Sequence, residues 1–512
     1  MRASALTGDP ARSRATSRPA LSAIAISASA SAALSVRTES AQSWRAAASI
    51  IRPITRSAAG GVTYTLTSGC VRAALERGDL RHASPASARL TSDTRSTVAL
   101  IAVMPKIVRM NLFRRHPIAL VLLALVVVSA VDSSPALVDA ATGAPPADAD
   151  LARPLGYVVA APLSDVLDAL TFLSLDRARA LLVVWGVALA TWGALRPAPP
   201  WRRVARALLG PVALLALGAA AATLPRPVPR LVTTDSALTV IDYHAHTSAS
   251  HDGRRGWTAL DLARWHAAQG FEASYVTDHN VLFDQRVQQP IPLLPGVEWS
   301  VADQHVVALA DTLPVDRGRF GRDTRSLLGL FGELHRHGAL SIASLPEYWR
   351  AHWDDLDEFV AAGLDGFEIV NCAPKALAFP AARRGQVVAL AAARDLLVVG
   401  ASDNHGWGKV TCVWNLAVSG VRGYRSNQVV TRPLALAQGE WLPWTAAYTQ
   451  PWLMFRGLSW SERCSWVTWI LVVLIYRAVP RRAGDAAGLG ILARSLEVFK
   501  LRWPRKPAPP GP

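Results

Sequence analysis

The chain has 512 residues, 51% of them hydrophobic, with a mean hydropathy of +0.21 and a formal net charge of +16. That length allows more than one folded unit, and the positive mean hydropathy points to membrane segments attached to a globular part. Four cysteines are too few for a disulfide scaffold and are not spaced as a zinc knuckle. The basic excess lies before residue 117, in 196–206 and after 477, outside a mildly acidic block in between, so a nucleic-acid polymer is not expected as a partner.

In chain order, residues 1–109 are rich in Ser, Ala, Arg and Thr without sustained apolar periodicity, and are read as a disordered extension or as residues upstream of a start at Met104 or Met110. Residues 110–224 are read as a membrane region with spans near 117–131, 180–195 and 207–224. A further transmembrane helix is expected at 464–479, ahead of a basic cytoplasmic tail at 480–512. The first run also suits a signal-peptide core. Arg residues flank these runs, and the positive-inside bias places the block between them outside the cytoplasm, in a bacterial inner membrane with that block periplasmic. Pro225, Pro227 and Pro229 make 225–235 a stiff linker. Trp444, Trp452, Trp460, Trp466 and Trp469 suit an interface belt that holds the block at the bilayer.

Residues 236–448 are read as a catalytic domain. Strands are expected at 239–243, 273–276, 293–297, 305–309, 340–343, 366–370 and 396–400. Helices are expected from Thr258 to Gly270, over 326–337 and over 381–393. Such alternation predicts an α/β fold with a mostly parallel barrel.

The tips of these strands carry the chemistry. His244 and His246 alternate behind Val240 and Ile241, so both imidazoles face one side. Asp252 follows in the next loop, then Thr277-Asp278-His279-Asn280, Glu298, His305 and Ser402-Asp403-Asn404-His405. Mixed imidazole and carboxylate donors suit Mn, Zn or Fe ions better than Mg or Ca.

In this order the motifs resemble the PHP (polymerase and histidinol phosphatase) superfamily, over 236–420. The resemblance implies a distorted (β/α)7 TIM-like barrel, here attached to three or four transmembrane helices, that hydrolyses phosphate esters with two or three divalent ions. It also implies one ion on His244, His246, Glu298 and Asp403, a second on Glu298 and His305, and a third on Asp252, His279 and His405. Asp278 would orient a ligand. Arg254 and Arg255 are candidate phosphate clamps or surface residues. One departure is Leu345, which stands where the family places a histidine; Glu347 or His337 could be recruited in its stead. Glu368 is open between ligand and ordinary strand-end carboxylate, and His251, His266, His335 and His352 are read as solvated.

The expected activity is metal-dependent phosphoester hydrolysis on a phosphorylated small molecule or lipid headgroup. A weak or inactive metal-binding sensor and an amidohydrolase-type enzyme are the alternatives. Cys372 and Cys412 are open between a bridge and two buried thiols.

Overall fold

The computed structural model describes residues 116–418 and 427–478. The expected extension at 1–109 and tail at 480–512 lie outside the described residues.

The longer helices of the first part are α1 (Pro117–Val131), α2 (Ala161–Thr171) and α3 (Leu175–Leu195), with α4 (Pro200–Thr223) forming a hairpin with α3. Both α3 and α4 are long and apolar enough to cross a membrane, and only 11% and 6% of their apolar stretches are covered by protein. They pack closely because a Cβ at Gly193 would stand 2.5 Å from the Arg206 carbonyl oxygen. The three or four spans expected from the sequence reduce to these two, or up to three if the helices Pro443–Arg456 and Trp460–Arg477, bent by 115°, count as one. The apolar run of α1 gives 15 helical residues, about 22 Å at 1.5 Å per residue, and docks instead on later helices. Leu123 and Val126 pack with Phe455, Trp466 and Ile470. The buried Arg463 guanidinium donates to the carbonyls of Val126 (3.0 Å) and Ser129 (3.3 Å) in the last turns of α1, where a cation also suits the helix dipole.

The strands are β1 (Val138–Asp139), β2 (Ala149–Ala152), β3 (Arg230–Thr233), β4 (Leu238–Asp242), β5 (Ala273–Val276), β6 (Leu293–Val301), β7 (Gln304–Leu309), β8 (Leu340–Ala343), β9 (Gly366–Asn371), β10 (Leu397–Ala401), β11 (Val413–Val418) and β12 (Asn427–Thr431). The expected (β/α)7 barrel is not what they form. Ten of them make one mixed sheet in the order β1-β12-β11-β4-β5-β6-β7-β8-β9-β10, while β2 and β3 pair separately.

Two features overturn the parallel reading. Ala302 and Asp303 both have positive φ (51° and 57°), the two-residue primed turn that folds β6 directly back onto β7 as an antiparallel hairpin. Three antiparallel strands, β11, β12 and β1, extend the sheet beyond β4. From β4 to β10, long helices therefore connect only β4 to β5 through α5 (Ala259–Gln269), β7 to β8 through α6 (Thr324–Arg336), and β9 to β10 through α7 (Ala381–Arg394). Thr258 caps α5 reciprocally with Asp261, and Gly270 at φ 92° ends it.

The sheet curls so that β10 approaches β11. Asn415 of β11 takes the Gly400 N–H (2.7 Å) and donates to the Gly400 carbonyl (2.7 Å), bridging by a side chain where no ladder runs. A Cβ at Gly400 would stand 2.2 Å from Val413, so the approach needs glycine. Cys372, after β9, and Cys412, before β11, form a disulfide.

The α3–α4 hairpin joins this body at one end. The Leu175 N–H donates to the Pro374 carbonyl (2.8 Å), the buried Arg177 donates to Gln438 (3.1 Å), and Phe172 belongs to the same core as Val410 and Cys412. The other end of the hairpin, where α3 leads into α4, carries Arg196, Arg202, Arg203 and Arg206.

Candidate metal centre

One edge of the sheet collects the polar residues because the strands deliver them there in succession. His244 and His246 follow β4, Asp278 and His279 follow β5, and Asp403 and His405 follow β10. Glu298 lies within β6. His305 opens β7, and since β7 runs antiparallel its first residues lie at the same edge as the last residues of β4 and β10. Lone bridges Ala245↔Asn404 and His279↔Glu298 hold these tips in register. Asp403 has φ 47°, in the left-handed region that an L residue adopts at a cost and that recurs at functional sites.

All eight residues expected as ligands meet in one cluster. His244 Nε2 and His246 Nε2 face each other at 2.9 Å. Glu298 Oε2 is 3.2 Å from the first and 3.3 Å from the second, and Asp403 Oδ1 is 3.6 Å and 3.2 Å from them. Donors on a tetrahedral ion with bonds of about 2.0–2.2 Å stand roughly 3.3–3.6 Å apart, so these four nearly outline such a shell. His305 Nδ1 lies 2.7 Å from Glu298 Oε1. His279 reaches Glu298 Oε2 through Nδ1 (3.1 Å) and Asp252 Oδ2 through Nε2 (3.5 Å), and His405 Nε2 is 3.2 Å from the same Asp252 oxygen.

Three buried atoms here, His279 Nδ1, Glu298 Oε1 and His405 Nε2, make no aligned hydrogen bond although another polar atom lies within 2.7–3.2 Å of each. Side chains that paired for stability alone would turn to align. Donors that converge without aligning fit a shared cation, and four overlapping groups of three such residues have their donor atoms within 4.8 Å of one another.

The supports behind the cluster are equally specific. His244 Nδ1 contacts the buried Glu368 at 2.6 Å, and Glu368 is held in turn by the Ser344 hydroxyl (2.7 Å) and the Asn371 amide (3.0 Å). Glu368 therefore acts through His244, the carboxylate–imidazole arrangement that orients metal-ligating histidines. Ser250 Oγ is 2.8 Å from His246 Nδ1, accepts the His279 N–H (2.9 Å) and donates to Asp278 (3.1 Å). Asp278 also takes the N–H and hydroxyl of Thr247 (2.7 and 2.6 Å), fixing the turn that follows His246. The Tyr348 hydroxyl meets His305 Nε2 at 2.9 Å.

Burial opposes charge here, but neighbours reverse it. Burial would raise the Glu298 carboxyl, yet His244 and His305 hold it well below the usual range. Asp403 is likewise lowered, by His244 and His405. Burial would lower His405, but Asp403 and Asp252 raise it to about 9, whereas His246, lowered by burial and by His405, falls to about 4. His244 and His305 are raised by the same carboxylates, so a cation bound here would displace protons from imidazoles.

Other expectations need correction. His266 is fully buried, not solvated: it lies on the inner face of α5 with Nε2 2.8 Å from Asp242, whose other oxygen accepts the Ser402 N–H (3.1 Å). His352 is also buried, 2.9 Å from Asp355. His251 is exposed yet groups with Asp252 and His279 at the rim of the cluster. Leu345 is fully buried in the apolar core, Glu347 pairs with Lys375 (3.1 Å), and His337 pairs with Glu333 (3.5 Å), so neither of these replaces the missing histidine. Arg254 donates to the Gly406 carbonyl (3.4 Å) and lies over Trp407, beside His405, while Arg255 is exposed. Ser250, Ser344 and Tyr348 carried no sequence signal of their own.

No family model matches this chain, and no curated protein matches it. Among solved structures, the crystal structure of PsfC from Pseudomonas syringae PB-5123 is 19% identical, with a TM-score of 0.30, over 39% of this chain and 94% of that one. A likeness at that level assigns neither fold nor activity.

Proposed function

We propose that the protein is a membrane-anchored, metal-dependent phosphoesterase whose cluster faces away from the cytoplasm. The observation that carries this is the convergence of His244, His246, Glu298 and Asp403 with donor separations of 2.9–3.6 Å, flanked by His279, His305 and His405. Two or three ions of Mn, Zn or Fe would sit among these residues: one on the first four, one beside Glu298 and His305, and one beside Asp252, His279 and His405. When bound, such ions neutralise phosphoryl oxygens and lower the pKa of water. In the overall hydrolysis a water oxygen bonds to phosphorus, the ester P–O bond breaks, and the alcohol leaves with a proton. Glu368 and Ser250 keep the His244 and His246 rings aimed at the cluster, and Asp278 holds the turn that follows His246. Arg254 stands where a phosphate oxygen could take its remaining N–H groups.

The order of the motifs, similar to that of the PHP superfamily, supports phosphate over other esters, although the sheet differs from the barrel that resemblance implies. The arginines at the far end of the α3–α4 hairpin support the orientation by the positive-inside rule, and the Cys372–Cys412 bridge supports an oxidising compartment. A second reading, a metal-binding sensor, is favoured by Leu345, an apolar core residue where the resemblance implies a histidine ligand beside His305 and Glu298. The test is phosphate release from 4-nitrophenyl phosphate and its diester by the full chain in detergent with Mn²⁺, beside Asp403→Ala. Turnover lost in the variant supports the esterase; metal loading without turnover on either substrate supports the sensor; turnover on amides alone supports an amidohydrolase.

A further inference from the structure

The cluster opens at one end into a cavity of about 500 Å³, within the roughly 300–1,000 Å³ of sites that hold small organic ligands. Its polar end is formed by Asp252, Asp403 and His405. Part of its wall is apolar and comes from the helices beside the sheet, with Phe172 and Leu175 where α2 passes into α3 and Gly218 and Ala222 on α4; Trp265, Trp407 and Val410 of the sheet body complete it. α4 is the helix with 6% of its apolar stretch covered by protein, so the cavity is bounded on that side by a segment that otherwise faces hydrocarbon. Small residues, Gly218, Ala221 and Ala222, form this part of the wall. At Gly218 no heavy atom lies within 4 Å of where a Cβ would stand.

Basic residues lie near the polar end. Gly408 lines the cavity and the half-buried Lys409 follows it; burial and the nearby Arg254 and Arg226 guanidiniums lower the Lys409 amine. Arg226 is ion-paired with Asp168 (3.0 Å), whereas Arg254, whose backbone N–H donates to the His405 carbonyl (2.8 Å), stands at the polar end of a chamber that leads from candidate metal ligands to α4. A soluble sugar or nucleotide phosphate would leave the apolar end filled with poorly bonded water. An amphiphile would match both ends.

We propose that the cavity receives a hydrocarbon chain of one membrane lipid whose phosphate reaches Asp252, Asp403 and His405, so that phosphorylated lipids are the substrate class. This rests on the phosphoesterase reading for its chemistry but not for its binding. The chain would enter beside α4, and the released phosphate would leave past Arg254 and Trp407.

The test uses the full chain in nanodiscs, with Gly218→Leu and Ala222→Leu to fill the apolar end. Dioleoyl phosphatidic acid is compared with glycerol 3-phosphate, and retention of phosphatidic acid through purification is measured by native mass spectrometry after metal removal. The wild type is expected to prefer the lipid, and each variant to lower the lipid-to-soluble ratio of kcat/KM, with displaced methylenes worth roughly 10–200-fold in an apolar pocket. Retention of phosphatidic acid should fall in the same variants. Equal losses on both substrates, or retention unchanged by both variants, would overturn the proposal. Lipid retained by the wild type and lost in the variants, with no phosphate released from any substrate, would leave the cavity assignment standing and sink the esterase reading alone.

Discussion

Glu368 Oε1 lies 2.6 Å from His244 Nδ1, so the imidazole that enters the cluster through Nε2 is held from behind by a carboxylate with no solvent exposure. Glu368→Gln keeps the shape and removes the charge. Loss of such an outer partner typically weakens metal affinity about 10–100-fold, and competition with a chromophoric chelator would read it. An unchanged affinity would mean that His244 is not a ligand.

Ser250 joins three elements through one hydroxyl, meeting His246, His279 and Asp278. Ser250→Ala leaves the buried His279 N–H without its acceptor, a loss worth about 1–3 kcal/mol. The expected result is a lower thermal midpoint in the metal-free protein together with weaker metal binding. A lower midpoint with metal binding intact would reduce Ser250 to a purely structural role.

The Cys372–Cys412 bridge closes a segment with a sequence separation of 40. In the loop-entropy account a closure of that length contributes roughly 4 kcal/mol. Reduction should therefore shift the denaturation midpoint downward, and thiol titration of the unfolded, unreduced protein should leave these two residues unlabelled. Two extra reactive thiols in freshly isolated membranes would contradict both the bridge and an oxidising address.

The α3–α4 turn is expected on the cytoplasmic side. With Cys70 and Cys464 changed to Ser, a cysteine introduced by Ala198→Cys should be blocked by an impermeant thiol reagent only in inside-out vesicles. Labelling in right-side-out vesicles would invert the topology and place the cluster in the cytoplasm.

The parts of this protein that were legible in its sequence are those where chemistry repeats a pattern. Histidines and carboxylates at successive strand tips mark a shared edge whether the strands run parallel or not, which is why all eight expected ligands meet although the expected barrel does not form. The barrel was misread at one turn: Ala302 and Asp303 take positive φ without the glycine or asparagine that usually announces a hairpin. Strands β11 and β12 escaped because they return antiparallel after the last motif, and the closing contact belongs to one side chain, Asn415. His266 was misread because a histidine within a polar helix looks solvated until the helix face and its Asp242 partner are known. The roles of Ser250 and Tyr348 depend on contacts across the fold, which spacing alone does not encode. The short α1 helix shows the same limit, since its apolar run suits a span, yet tertiary packing against Trp466 and Ile470 takes it up.

The central claim is that the His244–His246–Glu298–Asp403 cluster holds metal used for phosphoester hydrolysis. Its most direct measurement is phosphate release by chelator-stripped full chain as Mn²⁺ is returned in known equivalents, with bound metal counted in the same samples. The account predicts no turnover in the stripped protein and a rate that rises with occupancy and levels off at two or three ions per chain. Turnover that survives stripping, or a fully loaded, folded protein that releases no phosphate from any ester, would contradict it.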